Sequence, residues 1–293
     1  MKQYDKIIIV SCSNAQLMSK ISDALLSTFQ ARFKKKLSFY EDILVFNSAG
    51  SFVTGDVLNA ISECKAKGET PLVFAYVHTE PKCRGTRIYD LKDEILATFK
   101  DRLKWSPKDV SAWCESYGFT SEALFGFDET DAKVLVQNQA RLISSTGVDF
   151  ICGVLNFKTG VLSSLLHNIS LSSSEQEMLK KAIFKEAVTP PKTIVYKKPT
   201  YLVLSYPGVN SRRLLKITRP GVVYPVTVNP KKVDIRALAS IALFISIMAD
   251  DPRVRIVAAV DKIKELEDWV DKDVLIQALY ATGIRKPTFY IRA

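Results

Sequence analysis

The sequence predicts an α/β protein of two similar halves, each built on a mainly parallel sheet flanked by helices. Three observations carry this expectation. Short, continuously apolar, β-branched runs alternate with helical periodicities, as in buried parallel strands. The segments between those runs hold the crossover helices that parallel strands require. The same order of elements then restarts near residue 199.

The first run, Ile7–Val10, reads as a buried strand. Ser13 or Asn14 caps a helix from about Ala15, whose apolar positions Leu17, Ile21, Ala24, Leu25 and Phe29 recur at helical spacing before the basic run Arg32–Lys36. Asp42–Phe46 is the second strand, and a helix from about Thr54 to Lys67 follows it. Leu72–Val77 is the third strand and delivers His78 at its carboxyl end. A helical stretch over Leu91–Leu103 precedes a loop with Trp105, Pro107 and Trp113. A helix over Glu129–Ser144, a strand over Asp149–Asn156, a turn at Lys158-Thr159-Gly160 and a short strand over Val161–Ser164 complete the first half. The connection holds one helix, Ser174–Ala187, and the rigid Thr189-Pro190-Pro191 break. In the second half strands are expected at Tyr201–Ser205, Val222–Val226 and Arg255–Val260, with helices at Ser211–Ile217, Asp234–Ala249 and Asp271–Thr282.

Composition bounds the function. The chain has 293 residues, 47% hydrophobic and 25% charged, which excludes disordered and collagen-like classes. No apolar run approaches the roughly 18 residues of a membrane span, so no membrane partner is expected. The start lacks the features of a secretory or transit peptide. Five scattered cysteines read as reduced thiols, and together these signs predict a cytoplasmic location. The net charge of +10 is uneven: residues 1–168 hold 20 Lys/Arg and 19 Asp/Glu, whereas residues 169–293 hold 21 and 12. Within 180–236 there are 13 basic residues and two acidic ones, Glu186 and Asp234. That stretch predicts anion binding by Arg212, Arg213, Lys216, Lys231 and Lys232, toward an acidic protein or nucleic acid. No aromatic-spaced recognition module accompanies it, and no nucleotide-binding, zinc-protease or serine-hydrolase motif is present.

Laid over each other, the halves match Ile7–Cys12 with Thr200–Ser205, Asp42–Phe46 with Val222–Val226, and the strand ending at His78 with that ending at Asp261. A period this long points to domain duplication. The ordered set of motifs resembles the β-class carbonic anhydrases. Val10-Ser11-Cys12-Ser13-Asn14-Ala15-Gln16 is similar to the strand ending in Cys-x-Asp-x-Arg, and Phe46-Asn47-Ser48-Ala49-Gly50 to the Arg-Asn-Ala-Gly turn. Val77-His78-Thr79-Glu80-Pro81-Lys82-Cys83 looks like a lengthened His-x-x-Cys. Phe127-Asp128 through Lys158-Thr159-Gly160 resembles the closing helix and edge hairpin, and Arg219-Pro220-Gly221 echoes a Pro-Gly turn in the second copy. The resemblance covers residues 4–166 and, more weakly, 199–270.

The resemblance implies two repeats, residues 1–168 and a shortened 199–293, joined by a linker at 169–198 and packed as an intrachain pseudo-dimer. It further implies a zinc ion held by Cys12, His78 and Cys83 in the first repeat, lowering the pKa of a bound water. Asn14 and Gln16 stand where the family has its Asp–Arg pair, and an amide neither carries the negative charge nor takes up a proton near neutral pH. The His-to-Cys spacing is two residues longer, adding about 7 Å of chain. In the second copy Ser205, Pro207 and Val209 replace the first ligand, the Asp and the Arg, and no Cys or His follows His167. Cys64, Cys114 and Cys152 read as packing residues and His167 as an ordinary loop histidine. The expectation is a pseudoenzyme: a scaffold or binding protein with no cofactor or one zinc, able to join an oligomer or larger assembly. The competing expectation is a zinc-dependent lyase or hydrolase with a single site in the first repeat.

Overall fold

The structure, a computed structural model, describes residues 2–12, 25–37, 42–48, 53, 55–78, 100, 106–116, 129–156, 159, 161–180, 200–205, 222–227, 254–260 and 288–291. Five strands form the first sheet: β1 (Lys6–Cys12), β2 (Ile43–Ser48), β3 (Pro71–His78), β4 (Asp149–Asn156) and β5 (Val161–His167). Their order is β2-β1-β3-β4-β5, parallel except for β5, which returns antiparallel beside β4. The helices described are α1 (Gly55–Ala66), α2 (Pro107–Ser116), α3 (Glu129–Ser144) and α4 (Ser173–Lys180).

Both faces of β1–β4 are buried over the described side chains, as their apolar runs require, while the edge strand β5 is partly exposed. Because the side-chain period is two, Ile8, Val10, Leu44, Phe46, Val73, Val77 and Val154 share one face and form a continuous core with α1 and α3. The helices contribute stripes at helical spacing: Val57, Ala60, Ile61 and Cys64 from α1; Ala132, Leu135, Val136, Ala140 and Ile143 from α3. On the opposite face Ile7, Ile9, Val45, Phe74 and Tyr76 are equally buried.

Two features depart from the expected elements. The loop expected around Pro107 and Trp113 is the helix α2. Proline is tolerated in the first turn, where its missing N–H would have no partner anyway. Ser106 caps it reciprocally: its N–H donates to Asp109 Oδ2 at 2.7 Å and the Asp109 N–H donates to Ser106 Oγ at 3.3 Å. The short strand expected at Val161–Ser164 runs on to His167 through a bulge. There Ser164 takes a left-handed φ of 50°, and Gly153 lies so close to Leu162 that an added Cβ would sit 2.9 Å from its Cγ.

A second sheet holds β6 (Thr200–Ser205), β7 (Val222–Thr227), β8 (Val254–Val260) and β9 (Thr288–Ile291), all parallel, in the order β7-β6-β8-β9. Strand β9 has no counterpart in the sequence expectation. The order β7-β6-β8-β9 is that of β2-β1-β3-β4, and with Cys12 set against Ser205 the pairing carries each strand's last residue, Ser48 and His78, to the last residues Thr227 and Val260. Cys12 pairs Ser48 and Ser205 pairs Thr227; Val10 pairs Ala75 and Val203 pairs Val257; His78 pairs Leu155 and Val260 pairs Ile291. On that alignment Ile43 falls against Val222 and Val260 against His78. Strands β2 and β7, each an edge of its sheet, lie against each other.

The expected linker at 169–198 begins with a segment bound to the first sheet. Asn168 clasps the backbone at both ends of a short stretch, accepting from Phe150 N at 2.7 Å and donating to Val148 O at 2.9 Å. Helix α4 follows and packs on β5. The expected helices over 91–103, 211–217, 234–249 and 271–282 fall almost wholly outside the described residues, as does most of that over 15–29, of which residues 25–29 are helical.

Candidate functional site

Parallel strands present their carboxyl ends together, and that edge is where α/β proteins gather ligand-binding groups. In the first sheet Cys12 closes β1, Ser48 closes β2 and His78 closes β3. β1 lies between β2 and β3, and Cys12 stands in register with Ser48. The topology therefore brings two of the three expected zinc ligands, Cys12 and His78, to one edge of the sheet on adjacent strands. The third, Cys83, lies outside the described residues, as do Asn14, Gln16, Arg212, Arg213, Lys216, Lys231 and Lys232. Among the described residues no three His, Cys, Asp or Glu side chains are grouped to hold a metal ion. A Cys–His pair at a strand edge fits zinc by donor type, since thiolate and imidazole are its preferred ligands.

Two other cysteines are buried in the core, as their sequence settings imply. Burial pushes the Cys64 thiol up to about 11 and the Cys152 thiol higher still, so neither is a nucleophile near neutral pH. His167 is exposed at the end of β5, with Nδ1 2.8 Å from Ile169 O.

Behind the carboxyl edge lies a residue that motif reading missed. Gln139 belongs to the inward stripe of α3 and is 2% exposed. Its Oε1 accepts from Val53 N at 3.0 Å, in the connection between β2 and α1. The signal was in the sequence: 132, 135, 136, 139, 140 and 143 trace one helical face, and 139 alone is polar.

The amino edge of the sheet holds a separate charged cluster. Arg32 is buried and makes a two-pronged pair with Glu175 of α4, Nε to Oε1 at 2.5 Å and Nη2 to Oε2 at 2.6 Å, while Nη2 also donates to Ser170 O at 2.6 Å. The guanidinium holds the Glu175 carboxyl below the usual carboxylate range. Nearby, Tyr4 Oη and Lys2 Nζ each donate to Asp149 Oδ2 at 2.8 Å, and burial with that carboxylate beside it pushes the phenol upward. Asp5 accepts from Lys34 and from Thr70 N, which lowers its carboxyl. These groups join the strand starts and the chain after β5; they lie at the opposite end of the strands from Cys12 and His78.

No protein-family model matches the sequence, and no curated protein matches it. Among solved structures the chain is similar to a carbonic anhydrase from Streptococcus mutans, with 16% identity over 55% of this chain and 82% of that one, at a TM-score of 0.32. It is also similar to the apo form of a carbon disulfide hydrolase, with 12% identity, 56% and 79% coverage and a TM-score of 0.35. A third is the β-carbonic anhydrase CcaA, with 12% identity, 60% and 83% coverage and a TM-score of 0.29. At these values the likeness is a distant one of fold and carries no activity across to this chain.

Proposed function

We propose that this chain is a duplicated, β-carbonic-anhydrase-like scaffold or binding protein whose catalytic apparatus has been lost, and whose basic second half contacts an acidic protein or nucleic acid. The observation that supports the reading is the common strand order of the two sheets, on which Cys12 falls against Ser205 and His78 against Val260. The positions set against each other thus hold a Cys and a His in one sheet and a Ser and a Val in the other. On the resemblance, Asn14 and Gln16 remove the orienting Asp–Arg pair from the first copy as well. The contact between β2 and β7 supports packing of the two copies as an intrachain pseudo-dimer, since like elements meeting is the mark of an isologous interface. The proposed boundaries remain 1–168 and 199–293, with α4 docked on the first copy.

The second reading is a zinc lyase or hydrolase, favoured by the placement of Cys12 and His78 on adjacent strand ends. Cys12 and His78 with Cys83 would hold the ion, which when bound would acidify a water. The deciding measurement is zinc content of untagged protein purified without chelators. The scaffold reading expects folded protein with no carbon dioxide hydration above buffer, and a fold that does not depend on zinc. About one zinc per chain, lost in Cys12→Ala, together with hydration activity, would replace it with the enzyme reading.

A further inference from the structure

We propose that residues 169–180 form a strap that lifts from the amino end of the first sheet as one unit while the sheet stays folded, with Arg32 as its receptor. The strap belongs to neither sheet and is organised within itself. Ser172 N donates to Glu175 Oε2 at 2.8 Å, Glu175 N to Ser172 Oγ at 3.1 Å and Gln176 N to Ser172 O at 2.9 Å, a reciprocal cap that starts α4. Gln176 Nε2 donates back to Leu171 O at 3.3 Å. Its links to the body of the protein run through side chains. The Arg32 fork takes both Glu175 oxygens and Ser170 O. Glu175 and Leu179, four residues apart, share one face of α4 and are its buried residues.

Arg32, by contrast, is fixed to the sheet by its backbone. Its carbonyl accepts from Tyr4 N at 2.8 Å and Lys34 N donates to Tyr4 O at 3.0 Å, which holds this turn beside the start of β1. The hinge falls after Asn168, whose amide grips Phe150 N and Val148 O at the start of β4. A unit held by one charge pair and one fully buried apolar side chain opens at a lower free energy than strands buried on both faces. Opening changes two things. Docked, the strap leaves residues 181–199 to reach β6; open, the connection begins at 169. The Arg32 side chain, 4% exposed when docked, is uncovered, and its fork is free to take another carboxylate or a phosphate.

Native-state hydrogen exchange on the full chain tests this. In wild type the amides of 175–180 should share one opening constant, nearly independent of low urea, and exchange faster than those of 7–10 and 72–77. Ile143→Val trims the buried core of α3 whether the strap is docked or open. It should therefore speed exchange of the strands several-fold and leave 175–180 unchanged. Arg32→Met should speed 175–180 by about 100-fold, or to the unprotected rate. Phe150 N, on the sheet side of the hinge, should follow the strands in both variants. Equal acceleration of 175–180 and the strands in Ile143→Val would mean that α4 leaves only when the whole sheet unfolds, and would overturn the proposal. That comparison needs wild type and Ile143→Val alone, so it stands even if Arg32→Met does not fold. Unaltered exchange over 175–180 in a folded Arg32→Met protein would overturn the assignment of Arg32 as receptor.

Discussion

Arg32 and Glu175 are separated by 143 residues and meet with both carboxylate oxygens engaged. Ser172 completes the arrangement, its N–H donating to Glu175 Oε2 at 2.8 Å and its Oγ accepting from Glu175 N at 3.1 Å. Removing one partner of a buried pair leaves the other charge uncompensated, so Arg32→Met should destabilise the protein by about 3 kcal/mol in urea unfolding near neutral pH. The pH dependence follows from the depressed Glu175 carboxyl. Its contribution is complete above the unfolded glutamate value of about 4.3 and is lost as pH falls through the lower folded value. The gap between wild type and Arg32→Met should therefore close on acidification below about pH 4; a gap that stayed constant would contradict the pairing. At high pH the sign reverses for Cys64, whose folded value is about 11. Its contribution is complete below the unfolded thiol value of about 8.5 and is lost as pH rises through 11. None of these partners was legible in the sequence, because local periodicity carries no information on which distant charge will meet which.

Strands and helices were more legible. Helix α3 and strand β4 occur over the residues their periodicity implied, since a full amphipathic stripe and an unbroken apolar run each leave one way to be buried. Helix α2 was not, because Pro107 reads as a break unless the Ser106–Asp109 cap before and after it is weighed. The β4–β5 hairpin shows what an element cannot announce for itself. Cys152 pairs Leu166 while Val154 pairs Ser163, so β5 carries one extra residue opposite Gly153. The missing Cβ at 153 admits Leu162, and the left-handed Ser164 absorbs the surplus. Gly153→Ala should force Leu162 aside and cost about 1–3 kcal/mol, measured by thermal unfolding. Ser164→Gly, which relieves the left-handed backbone, should be neutral or slightly stabilising. A Gly153→Ala protein as stable as wild type would mean the strands do not approach this closely.

At the scale of the whole molecule β7-β6-β8-β9 repeats the order and parallel sense of β2-β1-β3-β4, and the edges β2 and β7 meet. Among the described residues no helix is long and apolar enough to cross a membrane. The excess positive charge belongs to the second half, with Arg212 and Arg213 following β6 and Lys231 and Lys232 following β7 within a few residues. Reversing all four charges should weaken binding to a DNA duplex and make its dependence on log salt shallower by roughly 3 to 4 units. Binding and salt slope unchanged by the four reversals would remove these residues from the proposal.

The sequence by itself determined the α/β class, the strands that carry Cys12 and His78, and the uneven charge, because each is written in short-range pattern: apolar runs, helical stripes and counts. Tertiary structure alone decided that β1 lies between β2 and β3, that β9 pairs with β8 in the second sheet, and that Gln139 and Arg32 find Val53 and Glu175. Strand neighbours and buried polar partners are chosen by closure of the core, where every unpaired donor or charge must be satisfied at once. That condition involves residues far apart in the chain, and no local window of sequence contains it.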